Sequence, residues 1–252
     1  MELEDEVAII TGAGQGLGRA IALAFAAEGA IVAIADIDQA HAGNVAECVR
    51  NTGGRALDVT DSTQVQTMVG RVVDEFGRLD ILVNNAGIVG PQGPLADLLE
   101  AGFDSVVGVN LKGVYLCSKA AIPLMVSQQS GKIIHIASIA GKMGEPFNGI
   151  YSATKAAVIN LTQSMALELA PYGINVNSIC PAAMDTAVMD EVYKTRAKYF
   201  GLTPDEFRHQ IETSFPLPRK LALEDTANLA LFLASGKSEM ITGQSISVSG
   251  GL

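Results

Sequence analysis

Cysteine is scarce in this chain: three among 252 residues, at Cys48, Cys117 and Cys180, with no clustering. That spacing builds neither a disulfide framework nor a thiolate metal site, and the three read as reduced thiols of a cytoplasmic protein. Histidine is equally scarce, and His41, His135 and His209 lie too far apart for metal-ligand spacing. No apolar run is long enough to cross a bilayer. The acidic start, Met1-Glu-Leu-Glu-Asp-Glu6, lacks the basic and apolar regions of a signal peptide. Basic charge is also in deficit, with 17 Lys and Arg against 27 Asp and Glu and a net charge of −10. Nucleic acid and anionic membranes bind basic faces, so neither is an expected partner. Long linkers, internal repeats and low-complexity tracts are missing as well.

What the chain does have is apolar content, 48%, enough for one α/β domain with a sizeable core and some surface buried between subunits. Strand and helix patterns alternate along it. Strands are predicted at Val7–Ile10, Ile31–Ala35, a short stretch ending near Leu57, Ile81–Val83, Lys132–Ala137, Asn175–Ile179 and Ser245–Val248. Helices are predicted at Gly16–Ala27, Ala40–Asn51, Ser62–Phe76, Leu98–Val109, Leu111–Gln129 (kinked at Pro123), from Tyr151 onward, and Glu224–Ala234. Repeated βα units imply a doubly wound parallel sheet of about seven strands, with helices on both faces, in a single Rossmann-type domain. Residues 182–215 lose the alternation and read as a small lid over the substrate, or as an ordinary helical hairpin.

The first predicted strand runs into Thr11-Gly12-Ala-Gly14-Gln15-Gly16-Leu17-Gly18 and then straight into a helix. Glycines there let backbone approach a pyrophosphate, whose charge the helix N-terminus favours. The spacing is G-x-x-x-G-x-G rather than G-x-G-x-x-G, with Leu17 where the last glycine of that pattern would fall. The next strand ends at Asp36, about 20 residues on, where an acid binds a ribose diol. A 2′-phosphate beside that carboxylate meets like charge, and neither Gln15 nor Ile37 is basic. These residues favour NAD over NADP. The plainer reading of Asp36 is a helix cap at a strand end.

The strand Lys132–Ala137 delivers Ser138 at its C-terminal end, where open α/β sheets place ligands. On the helix that follows, Tyr151 and Lys155 are four apart and share a face. An ammonium beside a phenol favours the phenolate, and a serine hydroxyl opposite can orient a substrate oxygen. The three make a proton relay for an alcohol–ketone couple, given a hydride acceptor nearby.

These motifs, in this order, resemble the short-chain dehydrogenase/reductase family over essentially the whole chain. Thr11-Gly12-x-x-x-Gly16-x-Gly18 is similar to its cofactor turn, Asp58-Val59 to its adenine-contacting pair, and Asn84-Asn85-Ala86-Gly87 to the motif ending its fourth strand. Asn110, Ser138, Tyr151 and Lys155 match its catalytic four. The resemblance implies Tyr151 as acid–base and Ser138 as holder of the substrate oxygen. It implies that Lys155 binds the nicotinamide ribose and lowers the Tyr151 pKa, while Asn110 supports a water-linked proton path. Pro181 and Thr186 would face the nicotinamide. Ala182 stands where the family usually has Gly, which puts the local loop shape in question. Ile241-Thr-Gly-Gln244 and Gly250-Gly251 match the family's ending.

The run Ala140-Gly-Lys-Met-Gly-Glu145 before Tyr151-x-Ala-Thr-Lys155 is similar to that of NAD-dependent polyol dehydrogenases, sorbitol types especially. Substrate would then be a small alcohol or ketone, touched by Ser138, Ala140, Glu145, Tyr151 and Ala182. Glu145 would accept a second substrate hydroxyl, or is a surface charge. Two rival functions remain open, a 3-ketoacyl thioester reductase and a non-catalytic dinucleotide-binding regulator. Relatives commonly form tetramers through the helices that here begin near Leu111 and Tyr151.

Overall fold

A computed structural model describes residues 1–49, 54–184 and 186–252. Seven strands form one parallel sheet: β1 (Val7–Thr11), β2 (Ile31–Asp36), β3 (Arg55–Ala56), β4 (Ile81–Asn84), β5 (Gly131–Ile136), β6 (Ile174–Pro181) and β7 (Ser245–Val248). Their spatial order is β3-β2-β1-β4-β5-β6-β7. The chain therefore builds outward from β1 to β3, then returns to the other side of β1 to lay down β4. Between β1 and β4 the loops at the strand C-termini diverge and open a crevice.

Burial on both faces explains why the strands are runs of Val and Ile rather than alternating patterns. Ala8 and Ile10 of β1, with Ile134 and Ile136 of β5, pack against α1 (Gly16–Ala27) on one face. Val7, Ile9 and Ile133 enter the core on the other face, with Val65, Met68 and Val72 of α3 (Ser62–Phe76). Successive side chains of a strand point to opposite faces, so each of these strands supplies both cores. α9 (Leu223–Ala234) lies beside α1 and completes the first.

Several boundaries differ from the sequence expectation. α2 spans Gln39–Ala46, capped by the Asp38 carboxylate, and stops short of the expected Asn51, which lies with residues 50–53 outside the described residues. The expected helices 98–109 and 111–129 are α4 (Glu100–Val107) and α5 (Val114–Gln128), joined through a π-helical turn, Gly108–Gly113. Asn110 sits in that turn, a wide geometry often found at functional sites. Pro123 lies inside α5, which carries on past it. α6 (Gly149–Leu169) starts two residues before Tyr151.

The segment 182–215 contains α7 (Ala187–Ala197) and α8 (Pro204–Thr213), with a small core of Tyr193, Ala197 and Phe207. It is fastened to the loop preceding α6. Phe147 stacks on Tyr199 at 4.7 Å between ring centroids and meets Phe200 edge-on at 5.5 Å. Arg196 of α7 forms an ion pair with Glu145 of that loop at 2.9 Å. Phe147 holds φ +62°, a left-handed conformation uncommon for a bulky residue and held by its surroundings. Among the described residues no helix is long and apolar enough to cross a membrane.

Candidate active site

The glycine turn lies between the end of β1 and the start of α1. A side chain at Gly18 would put its Cβ 2.2 Å from the Gly12 carbonyl oxygen and 2.5 Å from the Asn85 amide, so only glycine fits. Gly12 takes φ +62° and packs against Ala86, where an added Cβ would lie 2.9 Å from the Ala86 Cα. Thr11 and Asn85 fix the turn's shape. The Asn85 side chain donates to the carbonyls of Thr11 and Gly12, at 3.0 and 2.9 Å. The Thr11 hydroxyl accepts from the backbone of Asn85 and Ala86, each at 3.1 Å. Asn85, expected to meet a cofactor, thus spends its side-chain amide on the turn. Leu17 points into the α1-side core and leaves only its backbone near the crevice, while Gln15 is exposed.

Asp36 is buried at the C-terminal end of β2. One carboxylate oxygen accepts from Gly14 N–H at 2.8 Å, the other from Asp38 N–H at 3.0 Å. Asp36 caps no helix; Asp38 does that for α2. An ionised carboxylate has about four acceptor sites, so sites remain for a diol. Ile37 beside it is largely exposed. The Asp58 carboxylate accepts from the Thr60 N–H and hydroxyl, and Val59 is buried against Gly113. A turn in which Gly12, Gly14 and Gly18 leave no room for a Cβ, next to a helix N-terminus and a buried carboxylate, fits a dinucleotide.

β5 ends at Ile136, and Ser138 follows, its Oγ accepting from Ala140 N–H at 3.1 Å. Tyr151 is hydrogen-bonded to Ser138, which favours its phenolate, but burial dominates and pushes the phenol up to about 12, with the Glu145 charge adding to the rise. Lys155, nearly fully buried, donates from Nζ to the Ile136 carbonyl at 2.7 Å, and burial brings it down to about 8. Its Nζ is 5.6 Å from the centroid of the Tyr151 ring. The expected lowering of the Tyr151 pKa by Lys155 is therefore not what this geometry yields. The ammonium is engaged with a backbone carbonyl, and burial of the phenol outweighs the hydrogen bond from Ser138.

Gly87 lets the end of β4 close on this group, since a Cβ there would lie 3.4 Å from Asn110 Oδ1 and 3.5 Å from Lys155 Nζ. Asn110 is buried and accepts from Ile88 N–H at 2.8 Å. Its amide nitrogen donates to the Ile88 carbonyl at 2.8 Å and to the Thr154 hydroxyl at 3.3 Å. Both amide hydrogens are spent, so the side chain clamps the β4 loop onto α6.

Ala182 needs no glycine geometry. It is buried, its φ is not positive, and its N–H donates to the Val248 carbonyl at 3.0 Å. Pro181 ends β6, and Thr186 is the residue before α7. Ala140 is buried beside Ser138, whereas the Glu145 carboxylate is already engaged by Arg196 and by the Asn148 amide, both at 2.9 Å. Asn148 and Arg196 escape a reading of the motifs, and Thr11 enters it without a role of its own. Thr11 stood within the glycine turn and Asn148 one turn ahead of Tyr151, but nothing local marks Arg196. No three His, Cys, Asp or Glu among the described residues come together as a metal site.

A family model described as enoyl-(acyl carrier protein) reductase matches residues 12–252. A galactitol 2-dehydrogenase of Agrobacterium fabrum is 43% identical, the match covering 100% of this chain and 98% of the relative. A 3-oxoacyl-[acyl-carrier-protein] reductase FabG of Thermotoga maritima is 37% identical, covering 100% and 99%. The solved structure of an NAD+-bound xylitol dehydrogenase superposes with a TM-score of 0.95 at 33% identity, with both chains fully covered. The expected likeness to polyol dehydrogenases is borne out.

Proposed function

Because the chain belongs to the short-chain dehydrogenase/reductase family, a family of nicotinamide-dependent oxidoreductases, we propose that it oxidises a secondary alcohol of a neutral polyol to the ketone, with NAD as cofactor. The observation that carries the cofactor choice is the buried Asp36 carboxylate at the end of β2, next to the exposed, uncharged Ile37. Gly12, Gly16 and Gly18 would take the pyrophosphate, Asp36 the adenosine ribose, Asp58 and Val59 the adenine edge, and Ala86, Gly87, Pro181 and Thr186 the nicotinamide end. When bound, the dinucleotide supplies the hydride acceptor.

The rest of the chemistry belongs to the chain. Ser138 Oγ orients the substrate oxygen, and Tyr151, in its ionised form, takes the hydroxyl proton and returns to the neutral phenol. The Lys155 ammonium, held by the Ile136 carbonyl, would bind the nicotinamide ribose. Asn110 keeps the loop after β4 pressed against α6, which fixes where the substrate carbon lies. Helices α7 and α8 cover the cleft as a lid fastened through Phe147 and Glu145. We propose a homotetramer assembled through α5 and α6, whose exposed Tyr115 and Leu167 leave apolar surface to bury.

A test is kcat/KM over galactitol, sorbitol, xylitol, 2-butanol and a 3-ketoacyl thioester, with NAD(H) and NADP(H). The reading expects a polyol to lead with NAD, and Asp36→Ala with Ile37→Arg to move preference toward NADP. The second reading, reduction of a carrier-linked 3-oxoacyl thioester, draws on the 37% identity to the Thermotoga reductase. It would be favoured if the thioester led with NADPH.

A further inference from the structure

Six buried side-chain nitrogen and oxygen atoms among the described residues have no hydrogen-bond partner, and four of them lie in one region: Gln92 Oε1, Asn148 Oδ1, Ser152 Oγ and Arg196 Nε. Buried polar groups are almost always paired, so such a concentration calls for a ligand or ordered water. Gln92, Asn148 and Arg196 are each more than nine-tenths buried. They come from three separate segments, namely the loop after β4, the residue before α6, and α7.

The contacts on the page bring them together. Gly93 N–H donates to the Phe147 carbonyl at 3.0 Å, which sets Gln92 and Asn148 on either side of one hydrogen-bonded pair. Asn148 Nδ2 and Arg196 Nη1 both donate to Glu145 Oε2 at 2.9 Å. Glu145 is acceptor-only when ionised, so the Asn148 atom facing it has to be the nitrogen, and the unpaired atom is the carbonyl oxygen. Asn148 occupies the position before α6 yet makes no capping hydrogen bond with that helix. Tyr151 lies one helical turn further on.

We infer that Gln92, Asn148 and Arg196 form a hydroxyl-reading patch that binds the remote hydroxyl groups of a neutral polyol whose reacting carbon lies at Tyr151. Each hydroxyl both donates and accepts. The two amide carbonyl oxygens offer acceptors and Arg196 Nε–H offers a donor, so the patch complements hydroxyls in both senses. Its charge is balanced, because Glu145 faces Arg196. An anionic group would meet two carbonyl oxygens and a neutralised guanidinium, which selects against carboxylated and phosphorylated substrates. This inference rests on the polyol reading and deepens it, naming the residues that would separate a polyol from a plain alcohol or a phosphopantetheine-linked thioester.

The test compares kcat/KM for galactitol and 2-butanol in wild type, Asn148→Ala and Gln92→Leu, alongside a crystal structure of the protein with NAD and galactitol. Leaving a buried polar partner unpaired discriminates strongly between substrates that can and cannot fill it. The ratio of galactitol to 2-butanol should fall about tenfold in each variant, with the loss in KM for galactitol, and galactitol oxygens should lie about 3 Å from Asn148 Oδ1 and Gln92 Oε1. A wild type that shows no preference for any polyol overturns the functional reading. A wild type that prefers polyols while both variants keep its ratio overturns the patch alone. An equal loss on both substrates makes the residues structural and also overturns it. Should a variant fail to fold, the galactitol complex decides: hydroxyls without contact to these atoms refute the patch.

Discussion

Replacing Glu145 by alanine tests a role that neither sequence reading, hydroxyl acceptor or surface charge, included: partner of Arg196. Its carboxylate holds Arg196 of α7, whose side chain is only 10% exposed, while Glu145 itself is 26% exposed. Removing one member of a buried pair typically costs about 3–5 kcal/mol, because the other charge stays buried without its counter-charge. Water reaches this pair from the Glu145 side, and Arg196 keeps a second hydrogen bond to the Pro146 carbonyl at 3.3 Å. The cost therefore falls below that range, to about 2–3 kcal/mol. For a chain of this length each kcal/mol moves Tm by roughly 2–4 °C, so Glu145→Ala should melt about 5–10 °C below wild type. Arg196→Met should cost less, since a methionine can still pack against Phe207, whose ring lies 5.6 Å from the guanidinium carbon. The double variant should recover part of the loss, giving a coupling well above the scatter of independent sites. Thermal denaturation of the four proteins at one concentration measures this. A Glu145→Ala protein melting within about 1 °C of wild type, with additive effects in the cycle, would refute the clasp.

Three further outcomes follow from single residues. His135 is fully buried, with its pKa pushed down to about 3 by burial and by the Lys155 charge. The unfolded chain therefore binds this proton first, and stability present above pH ~6.5 is lost toward pH 3, at about 1.4 kcal/mol per pH unit. Urea titrations at pH 6.5 and 4.5 should differ by about 2 kcal/mol more in wild type than in His135→Gln; equal differences would contradict it. Gly18→Ala drives a methyl against the Gly12 carbonyl and Asn85 and should weaken NADH binding by about tenfold or more, read by fluorescence titration; unchanged affinity would show that the turn tolerates the methyl. Ala182→Gly relieves no strained φ and empties buried volume, so it should lower stability by about 1 kcal/mol without raising turnover; a faster enzyme would contradict that.

The doubly wound sheet and the placing of Ser138, Tyr151 and Lys155 near its C-terminal edge were legible because their signals are local. Apolar β-branched runs such as Val7–Ile10 announce buried strands, and Tyr151 and Lys155 share a face by spacing alone. Asp36 could be placed because a strand must end where its pattern ends. Signals of long range were not legible. Arg196 meets Glu145 across 51 residues, and no period in either segment points to the other. The π-helical turn at Asn110 depends on a side chain that grips Ile88, a contact invisible in composition. Burial decides the titration of Tyr151 and Lys155, and burial is a property of the assembled fold. That they share a helix face could be read in advance, but not the direction of the Tyr151 shift.

The claim at the centre is that Tyr151 carries the proton of an NAD-dependent polyol oxidation. NADH formation from galactitol and NAD, in wild type and Tyr151→Phe, tests it most directly, with NADH affinity measured in parallel. Wild type should turn over and Tyr151→Phe should lose about two to four orders of magnitude, the usual worth of general acid–base catalysis, while still binding NADH. A Tyr151→Phe enzyme that kept most of its turnover would contradict the account.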